Sequence, residues 1–265
     1  MIRAQGLVKK FGDLIAVNDV SFDVPKGEIF AFLGPNGAGK TTTIKMLTTL
    51  LTPTGGSVSL DGIDPVHDQT GARKQFGIVF QDPSVDDELT AWENMDFHGV
   101  LYGVPRKLRH QRIEHLLQLF ELWDRRQDVV KQFSGGMRRR LEIARSLLHT
   151  PKIIFLDEPT LGLDPQTRNQ LWTHVQKLNQ LEQVTVFLTT HYMEEAERVA
   201  HRIAIIDHGR IVAQGTSEEL KKQTGTESLE QAFLALTGST IRAEEANGGL
   251  DMMRNISRSM GRNRR

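Results

Sequence analysis

One stretch near the start of the chain constrains its fold more than any other. It reads Gly34-Pro35-Asn36-Gly37-Ala38-Gly39-Lys40-Thr41-Thr42. This run matches the pattern G-x-x-x-x-G-K-[ST], in which backbone N–H groups surround nucleotide phosphates. The apolar residues 28–33 predict a buried strand before the loop, and residues 41–51 predict a helix after it. A strand, a glycine loop and a helix in this order predict a triphosphate site at the helix N-terminus.

The residue types in this loop indicate how a triphosphate would be held. Gly34, Gly37 and Gly39 let the backbone turn tightly and approach an anion closely. The Lys40 ammonium is expected to reach the β- and γ-phosphates, and the Thr41 hydroxyl to bind Mg²⁺. The alternative is a glycine-rich turn that binds no nucleotide, which the flanking strand and helix disfavour.

Length and composition exclude several classes of protein. The chain has 265 residues, enough for one large α/β domain or two small ones. Its 33 basic and 33 acidic side chains cancel, so no overall attraction to nucleic acid is indicated. It has no cysteine, which rules out disulfides and thiolate zinc sites. Because no apolar run approaches the ~20 residues that cross a bilayer, and no secretory signal is evident, we expect an intracellular chain that works at a membrane only through another polypeptide.

Polar side chains follow three further apolar stretches that predict buried strands. They are Gln81, the pair Asp157 and Glu158, and His191. Parallel sheets bind ligands beyond the carboxyl ends of their strands. We therefore predict that these side chains lie at the carboxyl edge of the sheet, beside the glycine loop. Asp157 is expected to hold Mg²⁺ through water, and Gln81 to touch the metal or the attacking water. Glu158 is placed to accept a proton from, or to orient, a water that attacks the γ-phosphate.

Each of these positions also has an interpretation without a ligand. A single glutamine such as Gln81 is more often a turn residue, and the two carboxylates could cap the helix that follows them. Most single histidines are neither catalytic nor ligands, so for His191 both interpretations stay open.

Between about residues 82 and 150 the strand patterns give way to helical ones, which predicts an inserted helical subdomain. It ends in Ser134-Gly135-Gly136, after which another helix is predicted. A hydroxyl and bare N–H groups at a helix N-terminus form a second anion site, although a plain helix cap would look similar. The basic run 138–140 is interpreted mostly as a solvated helix face.

The first 33 residues alternate strand-like pieces with turns, and residues 16–24 predict a half-exposed antiparallel strand. Phe11 precedes that strand. Its ring could stack on an adenine face, and the alternative is an ordinary packed hydrophobic residue. A second hairpin is predicted around residues 207–209.

Four pieces in one order make the chain resemble the ATP-binding-cassette (ABC) ATPase family over about residues 2–220. They are GPNGAGKTT from 34, FSGGM from 133, IIFLDEP from 153 and TTH from 189. The Ser-Gly-Gly signature and the terminal histidine single out this family, since the other two occur across many nucleotidases. The resemblance implies an α/β, P-loop NTPase (RecA-like) fold, with a mixed-sheet core, an antiparallel β subdomain and the inserted helical subdomain.

The same resemblance divides the chain into a nucleotide-binding domain at 1–224 and a C-terminal extension at 225–265. Within the extension, a short apolar helix face is formed by Leu229, Ala232, Phe233 and Leu236. It is expected to pack on the chain's own domain, and the alternative is docking on a partner. Beyond Gly238 the chain turns polar and then basic, which predicts a disordered tail.

The resemblance also implies a role for each matching residue. The implied ligands of ATP are Phe11, Gly34, Pro35, Asn36, Gly37, Ala38, Gly39, Lys40, Thr41, Thr42, Gln81, Ser134, Gly135 and Gly136. The implied ligands of Mg²⁺ are Thr41, Gln81 and Asp157. Glu158 is implied as the general base, Lys40 and His191 as further catalytic residues, and Asp164 as a contact between subunits. Phe133, Met137 and Leu161 depart from the commonest family residues, but none of them removes a group thought to touch phosphate.

Partners and activity follow from the resemblance as well. The family forms a head-to-tail homodimer, in which the phosphate loop of one subunit faces the Ser-Gly-Gly of the other across ATP. The expected activity is ATP hydrolysis coupled to transport, at the cytoplasmic face of the membrane, through a separate multi-span permease. The chain itself would bind neither nucleic acid nor the transported molecule.

Residues 135–168 and 228–238 resemble the daunorubicin-resistance type of drug exporter, so efflux of a drug, lipid or similar amphipathic compound is expected. The alternatives are export of polysaccharide or lipo-oligosaccharide, and a soluble ABC ATPase that acts on nucleic acid or the ribosome.

Overall fold

The computed structural model describes residues 1–238, which form two sheets. The strands are β1 Ile2–Phe11, β2 Leu14–Val24, β3 Ile29–Leu33, β4 Gly55–Leu60, β5 Phe76–Val79, β6 Ile153–Asp157, β7 Thr185–Thr190, β8 Arg202–Asp207 and β9 Arg210–Gly215. The helices are α1 Lys40–Leu47, α2 Gln69–Gln75, α3 Ala91–Leu101, α4 Arg106–Leu119, α5 Gly135–Ser146, α6 Pro165–Glu182, α7 Met193–Val199, α8 Ser217–Thr224 and α9 Leu229–Thr237.

The smaller sheet is antiparallel, with strand order β2-β1-β4. Its β2 strand alternates as predicted: Val20, Phe22 and Val24 are buried, and the residues between them are exposed. The buried face packs on the larger sheet through aromatic rings, since Phe22 lies 5.6 Å from both Phe30 and Phe187 between ring centroids. Aromatic pairs of this kind add about 0.5–1.5 kcal/mol each beyond the area that they bury.

The larger sheet has the order β5-β6-β7-β3-β8-β9, and its first five strands are parallel. The last pair, β8 and β9, is the antiparallel hairpin that the sequence predicts. Every residue of β3, β6 and β7 is buried, because the small sheet covers one face and helices cover the other. The carboxyl ends of β5, β6, β7 and β3 therefore lie side by side at one edge.

The helix after the glycine loop is shorter than the sequence pattern suggests. It ends at Leu47 rather than at Leu51. The Thr48 backbone N–H and hydroxyl both donate to the Ile44 carbonyl, and Thr49 then takes a left-handed φ of 66°. A hydrogen-bonding side chain and a left-handed residue in succession end the helix.

Between β5 and β6 the chain forms α3, α4 and α5, in the region of the predicted helical insertion. Thr90 and Glu93 form a capping box at the start of α3, which fixes where the first of these helices begins. The division of the chain into domains stays a prediction.

At the end of the described range, α9 packs back on the chain. Leu229 and Phe233 are buried in the core on the helical side of the large sheet, so the predicted apolar face docks on its own domain. The predicted basic tail lies outside the described residues. Within residues 1–238, no helix is both long enough and apolar enough to cross a membrane.

Candidate nucleotide-binding site

The glycine loop lies between β3 and α1, at the edge where the parallel strands end. At two of its glycines the backbone runs so close to neighbouring backbone that a side chain does not fit. A Cβ on Gly34 would lie 2.4 Å from the Ile206 carbonyl oxygen, and one on Gly39 would lie 2.6 Å from that of Ala16. Gly39 also has a φ of 105° and leaves α1 without a side-chain cap. The first N–H groups of α1 are thus available to an anion.

Lys40, the first residue of α1, points into this loop and is almost fully buried. Its Nζ donates to the carbonyl oxygens of Gly34 at 2.8 Å and Pro35 at 3.1 Å. It also forms an ion pair with Glu158 Oε1 at 3.0 Å. The ammonium is therefore held within the loop and against the carboxylate that follows β6.

Glu158 takes a strained backbone conformation at this edge. Its φ is 46°, an unusual value for a residue that precedes a proline and one that costs about 1–3 kcal/mol. Its N–H donates to the hydroxyl of Thr189 at 3.0 Å and to the carbonyl at 3.2 Å. The carboxylate is thereby directed at Lys40 on one side and at His191 Nδ1, 3.2 Å away, on the other.

These neighbours keep Glu158 ionised. The hydrogen bond with His191 is the largest cause that lowers the pKa of the Glu158 carboxyl, to about 2. The charge and hydrogen bond of Lys40 lower the pKa in the same direction, and burial opposes them. Glu158 is consequently a weak base for as long as both partners hold it.

Asp157, the last residue of β6, contacts Thr41 of α1 at the same edge of the sheet. Asp157 is buried, and its Oδ1 accepts from the Thr189 hydroxyl at 2.6 Å and from the Thr41 hydroxyl at 3.3 Å. A carboxylate and a hydroxyl of this kind suit Mg²⁺, which prefers oxygen ligands. No cluster of three or more metal-binding side chains occurs within residues 1–238. A magnesium ion here would take its remaining ligands from phosphates and water.

Two predicted contacts lie at the margin of this group. Gln81 follows β5 and is exposed, and its carbonyl accepts from Arg139 Nη2 at 3.2 Å. Phe11 ends β1 with 47% of its surface exposed, and the Lys9 ammonium lies 5.1 Å from its ring centroid. Phe11 is therefore not a core residue, and its stacking on an adenine face stays a prediction.

The Ser-Gly-Gly tripeptide lies at the N-terminus of α5, away from β3 and α1 in the chain. Ser134 caps the helix, with its hydroxyl accepting from the Met137 N–H at 3.3 Å. Ser134 and Gly135 are exposed, whereas Gly136 packs so tightly on Thr167 of α6 that a Cβ would lie 2.2 Å from a side-chain carbon. Thr167 in turn donates to Asp164 through its N–H and its hydroxyl, which lowers the pKa of the Asp164 carboxyl.

Sequence patterns missed two sets of residues that shape this edge. The Thr189 hydroxyl accepts from the backbone N–H of Glu158 and donates to the carboxylate of Asp157, so one hydroxyl holds both residues. Arg139 was expected on a solvated face, but it is only 7% exposed and contacts the loops of Gln81 and Glu158. The signals were a polar residue at the end of an apolar strand and an Arg–Glu pair spaced i, i+3 on α5.

Comparison with known proteins places the chain in the family that its sequence resembles. The family model described as ABC transporter matches residues 17–161. The chain is 45% identical over 243 residues to the daunorubicin/doxorubicin resistance ATP-binding protein DrrA of Streptomyces peucetius, across 92% of this chain and 72% of that protein.

Solved structures agree in fold. One, described as the ATP binding subunit of an ABC transporter, has a TM-score of 0.80 and 30% identity, covering 89% of this chain and 99% of that one. Another, a dimeric ATP-binding cassette in a post-hydrolysis state bound to ADP and Pi, has a TM-score of 0.72 and 29% identity, covering 82% of this chain and 98% of its own. These likenesses confirm the fold class that the four sequence pieces predict.

Proposed function

The chain belongs to the family of ABC transporter ATPases, and we propose that it drives export of a drug or similar amphipathic compound through a separate membrane subunit. As a member of this family it binds and hydrolyses ATP. The proposed cargo class rests on the similarity to DrrA, whose name assigns that protein to daunorubicin and doxorubicin resistance. The proposed location is the cytoplasmic face of the membrane.

The observation that carries the hydrolytic part of this proposal is the group of buried Lys40 and Glu158 with half-buried His191 at the open N-terminus of α1. An incoming triphosphate offers Lys40 a stronger partner than a single carboxylate, since its oxygens also accept from the N–H groups of α1. Lys40 would then leave Glu158, and the pKa of that carboxyl would rise because one cause of its lowering is gone.

Release of Glu158 makes it a better base at the moment when the γ-phosphate is in place. Its carboxylate would accept a hydrogen bond from the attacking water, while His191 keeps it oriented. Asp157 and Thr41 would hold Mg²⁺, which when bound supplies positive charge beside the phosphates. Water then gives a proton to the Glu158 carboxylate and forms a bond to the γ-phosphorus as the bond to the β–γ bridging oxygen breaks, which yields ADP and phosphate.

We further propose that two copies of the chain complete each ATP site. Ser134 and Gly135 are exposed at the N-terminus of α5, so this second anion site faces outward. In a head-to-tail dimer it would cover the ATP on the loop of the other copy, as the Ser-Gly-Gly resemblance implies. The exposed Asp164, next to this tripeptide through Thr167, would lie in the same contact.

A mixing experiment tests the shared site. Lys40→Ala removes the phosphate contact of one copy, and Gly135→Asp places a negative charge where the other copy would meet phosphate. Each variant alone should lose ATP hydrolysis, whereas equal mixing should restore about a quarter of the wild-type sites, because half of the dimers then contain one intact site. A mixture as inactive as its two components would contradict the head-to-tail arrangement.

The membrane subunit is proposed to dock on α3. Phe97, Val100 and Leu101 are 60%, 53% and 67% exposed, which is a concentration of apolar surface on one short helix of the insertion. A permease that carries the membrane spans supplies the apolar partner that such a surface fits.

Leu101→Glu should abolish stimulation of ATP hydrolysis by the reconstituted permease and leave basal hydrolysis intact. Leu181→Glu on α6, where Leu181 is 64% exposed, is the matched control.

Cargo is tested with the same reconstituted pair. Efflux of an anthracycline from vesicles, dependent on ATP, supports the proposal. Export of a lipo-oligosaccharide in place of the drug would move the chain to the alternative cargo class.

A further inference from the structure

We propose that Arg139 is a positioning residue that joins the two halves of the ATP machinery within one chain. It would connect the Ser-Gly-Gly end of α5 to the loop of Gln81 and to the turn of Glu158. In the dimer each chain contributes these halves to different ATP sites, so Arg139 would make each site sense the other. This inference rests on the proposed dimer.

The first support is the set of contacts that Arg139 makes. Its guanidinium is buried and directs every nitrogen at a protein acceptor. Nε donates to the Pro159 carbonyl at 2.8 Å, Nη1 to the Phe80 carbonyl at 2.6 Å and to Glu142 Oε2 at 3.0 Å, and Nη2 to the Gln81 carbonyl at 3.2 Å. A planar fork with five N–H groups can bridge three carbonyl groups at once, which a lysine ammonium cannot reproduce.

The contacts to Gln81 extend along the same face of α5. Glu142, one turn after Arg139, is 3% exposed and accepts from the Ser84 N–H at 2.5 Å and from its hydroxyl at 3.2 Å. Arg145, one turn further, donates from Nη1 to the Ser84 carbonyl at 2.8 Å. Three consecutive turns of α5 thus hold the loop 80–84, so this loop follows any movement of the helix.

The contact to Pro159 reaches the candidate base. Glu158 keeps its left-handed φ only because surrounding groups hold the turn in place. The Leu161 N–H donates to the Glu158 carbonyl at 3.1 Å, and Arg139 Nε holds the next carbonyl, that of Pro159. Without Arg139 the turn loses one of these restraints, and the Glu158 carboxylate shifts relative to Lys40 and His191.

The position of Arg139 on α5 links the exposed N-terminus of this helix to Gln81 and Pro159. It lies four residues after Gly135, one helical turn from the exposed N–H groups. A helix is stiff over one turn, so a phosphate of the partner's ATP that pulls on Gly135 also displaces Arg139. The displacement reaches Gln81 and Pro159 of the same chain, and therefore the ATP on that chain's own phosphate loop.

Arg139→Met and Arg139→Lys test the inference in the full-length chain with ATP. The dissociation constant for ATP should stay within about twofold, because Arg139 does not contact the phosphate loop. The kcat should fall about 10- to 100-fold for methionine, as expected when a catalytic group is misplaced by about 1 Å, and less for lysine. The Hill coefficient for ATP should be above 1 in the wild type and should fall to about 1 in both variants.

The matched control is Arg140→Met. Arg140, the next residue of the helix, is also largely buried and donates from Nη1 to the Phe120 carbonyl at 3.1 Å, but its partners belong to neither site loop. It should cost less stability than Arg139→Met, because its partner Glu121 is exposed, and it should leave the kcat and the Hill coefficient near those of the wild type.

A loss of folding is separated from a loss of positioning by the double variant Arg139→Met with Glu142→Gln. It removes the buried ion pair as a unit, so no uncompensated charge stays in the core. A double variant with a wild-type melting temperature and a lowered kcat supports the inference. Wild-type kcat and cooperativity in the double variant, or equal losses of kcat in the Arg139 and Arg140 variants, would overturn it.

The same measurements distinguish failure of the proposed function from failure of the role assigned to Arg139. A wild-type chain that neither hydrolyses ATP nor dimerises would remove the proposed function itself. A wild-type chain that hydrolyses ATP cooperatively, together with an Arg139→Met variant that does the same, would remove only the role of Arg139.

Discussion

Two helices of this chain, α1 and α5, begin with glycines and bare backbone N–H groups, yet their surroundings differ. The N-terminus of α1 lies among the ends of the parallel strands, where Lys40 is buried against Glu158. That of α5 is exposed, and its hydroxyl is used to cap its own helix at Met137. The first therefore has a buried cation and carboxylates around it, whereas the second presents exposed backbone N–H groups and a hydroxyl.

This difference indicates why one end would bind ATP and the other would only cover it. A triphosphate needs positive charge to offset its own charge, and α1 offers the Lys40 ammonium together with Asp157 and Thr41, the proposed ligands of Mg²⁺. The α5 end supplies neutral donors, which suffice to sense a γ-phosphate that is already held elsewhere. The comparison predicts a graded series of effects.

The largest effect is expected for Lys40→Ala. This change removes the ammonium at the N-terminus of α1, so no side-chain cation is left there to bind the phosphates. ATP binding should become undetectable by calorimetry, a loss of at least about 100-fold in affinity, because a buried charge contact to the phosphates is gone. Lys45→Ala, on the same helix, should bind like the wild type. Unchanged heat of binding in the Lys40 variant would contradict the assigned role.

Glu158→Gln should come next, since it removes the base at α1 and spares the phosphate and metal contacts. Hydrolysis should fall about 10²- to 10⁴-fold while ATP binding persists, so the closed dimer should accumulate. Gel filtration with Mg²⁺ and ATP measures this. A monomer that continues to hydrolyse ATP would show that Glu158 is not the base.

Acid should weaken the α1 end through Glu158. The folded-state pKa of Glu158, about 2, lies below its ordinary value of 4.5, so the unfolded chain binds this proton first as the pH falls. The stability that Glu158 contributes is complete above the ordinary value and is lost as the pH falls toward 2. Between about pH 5 and about pH 3.5 the wild type should lose about 1 kcal/mol more than Glu158→Gln does. Urea unfolding at the two pH values measures the difference, and parallel losses would contradict the pairing.

The smallest effect is expected at the α5 cap. Ser134→Ala should lower the free energy of unfolding by about 0.5 kcal/mol, the low end for a cap, because its hydrogen bond is long and exposed. Ser134→Asn retains a capping side chain and should restore stability. Thermal unfolding measures both variants, and a loss that asparagine does not restore would mean that Ser134 stabilises α5 by another contact.

Much of this site could be predicted because its parts are local. The glycine loop is one continuous run, and the strand before it and the helix after it have their own periodicity. Asp157, Glu158 and His191 follow apolar strands directly, so the rule that ligands bind at the carboxyl edge of a parallel sheet places them together. The end of α1 was predicted wrongly because Thr48 and Thr49 stop the helix through local backbone chemistry that the apolar pattern does not register.

The sequence by itself determined the family, the fold class and the residue types gathered at one edge, because each of these depends on short contiguous motifs and on strand order. Only the tertiary structure decided which side chains hold that edge together. Arg139 and Thr189 become connecting residues because α5 and β7 pack beside loops that are distant in the chain. A burial pattern along one helix cannot reveal such partners, since a guanidinium in the core requires acceptors that only the folded chain supplies.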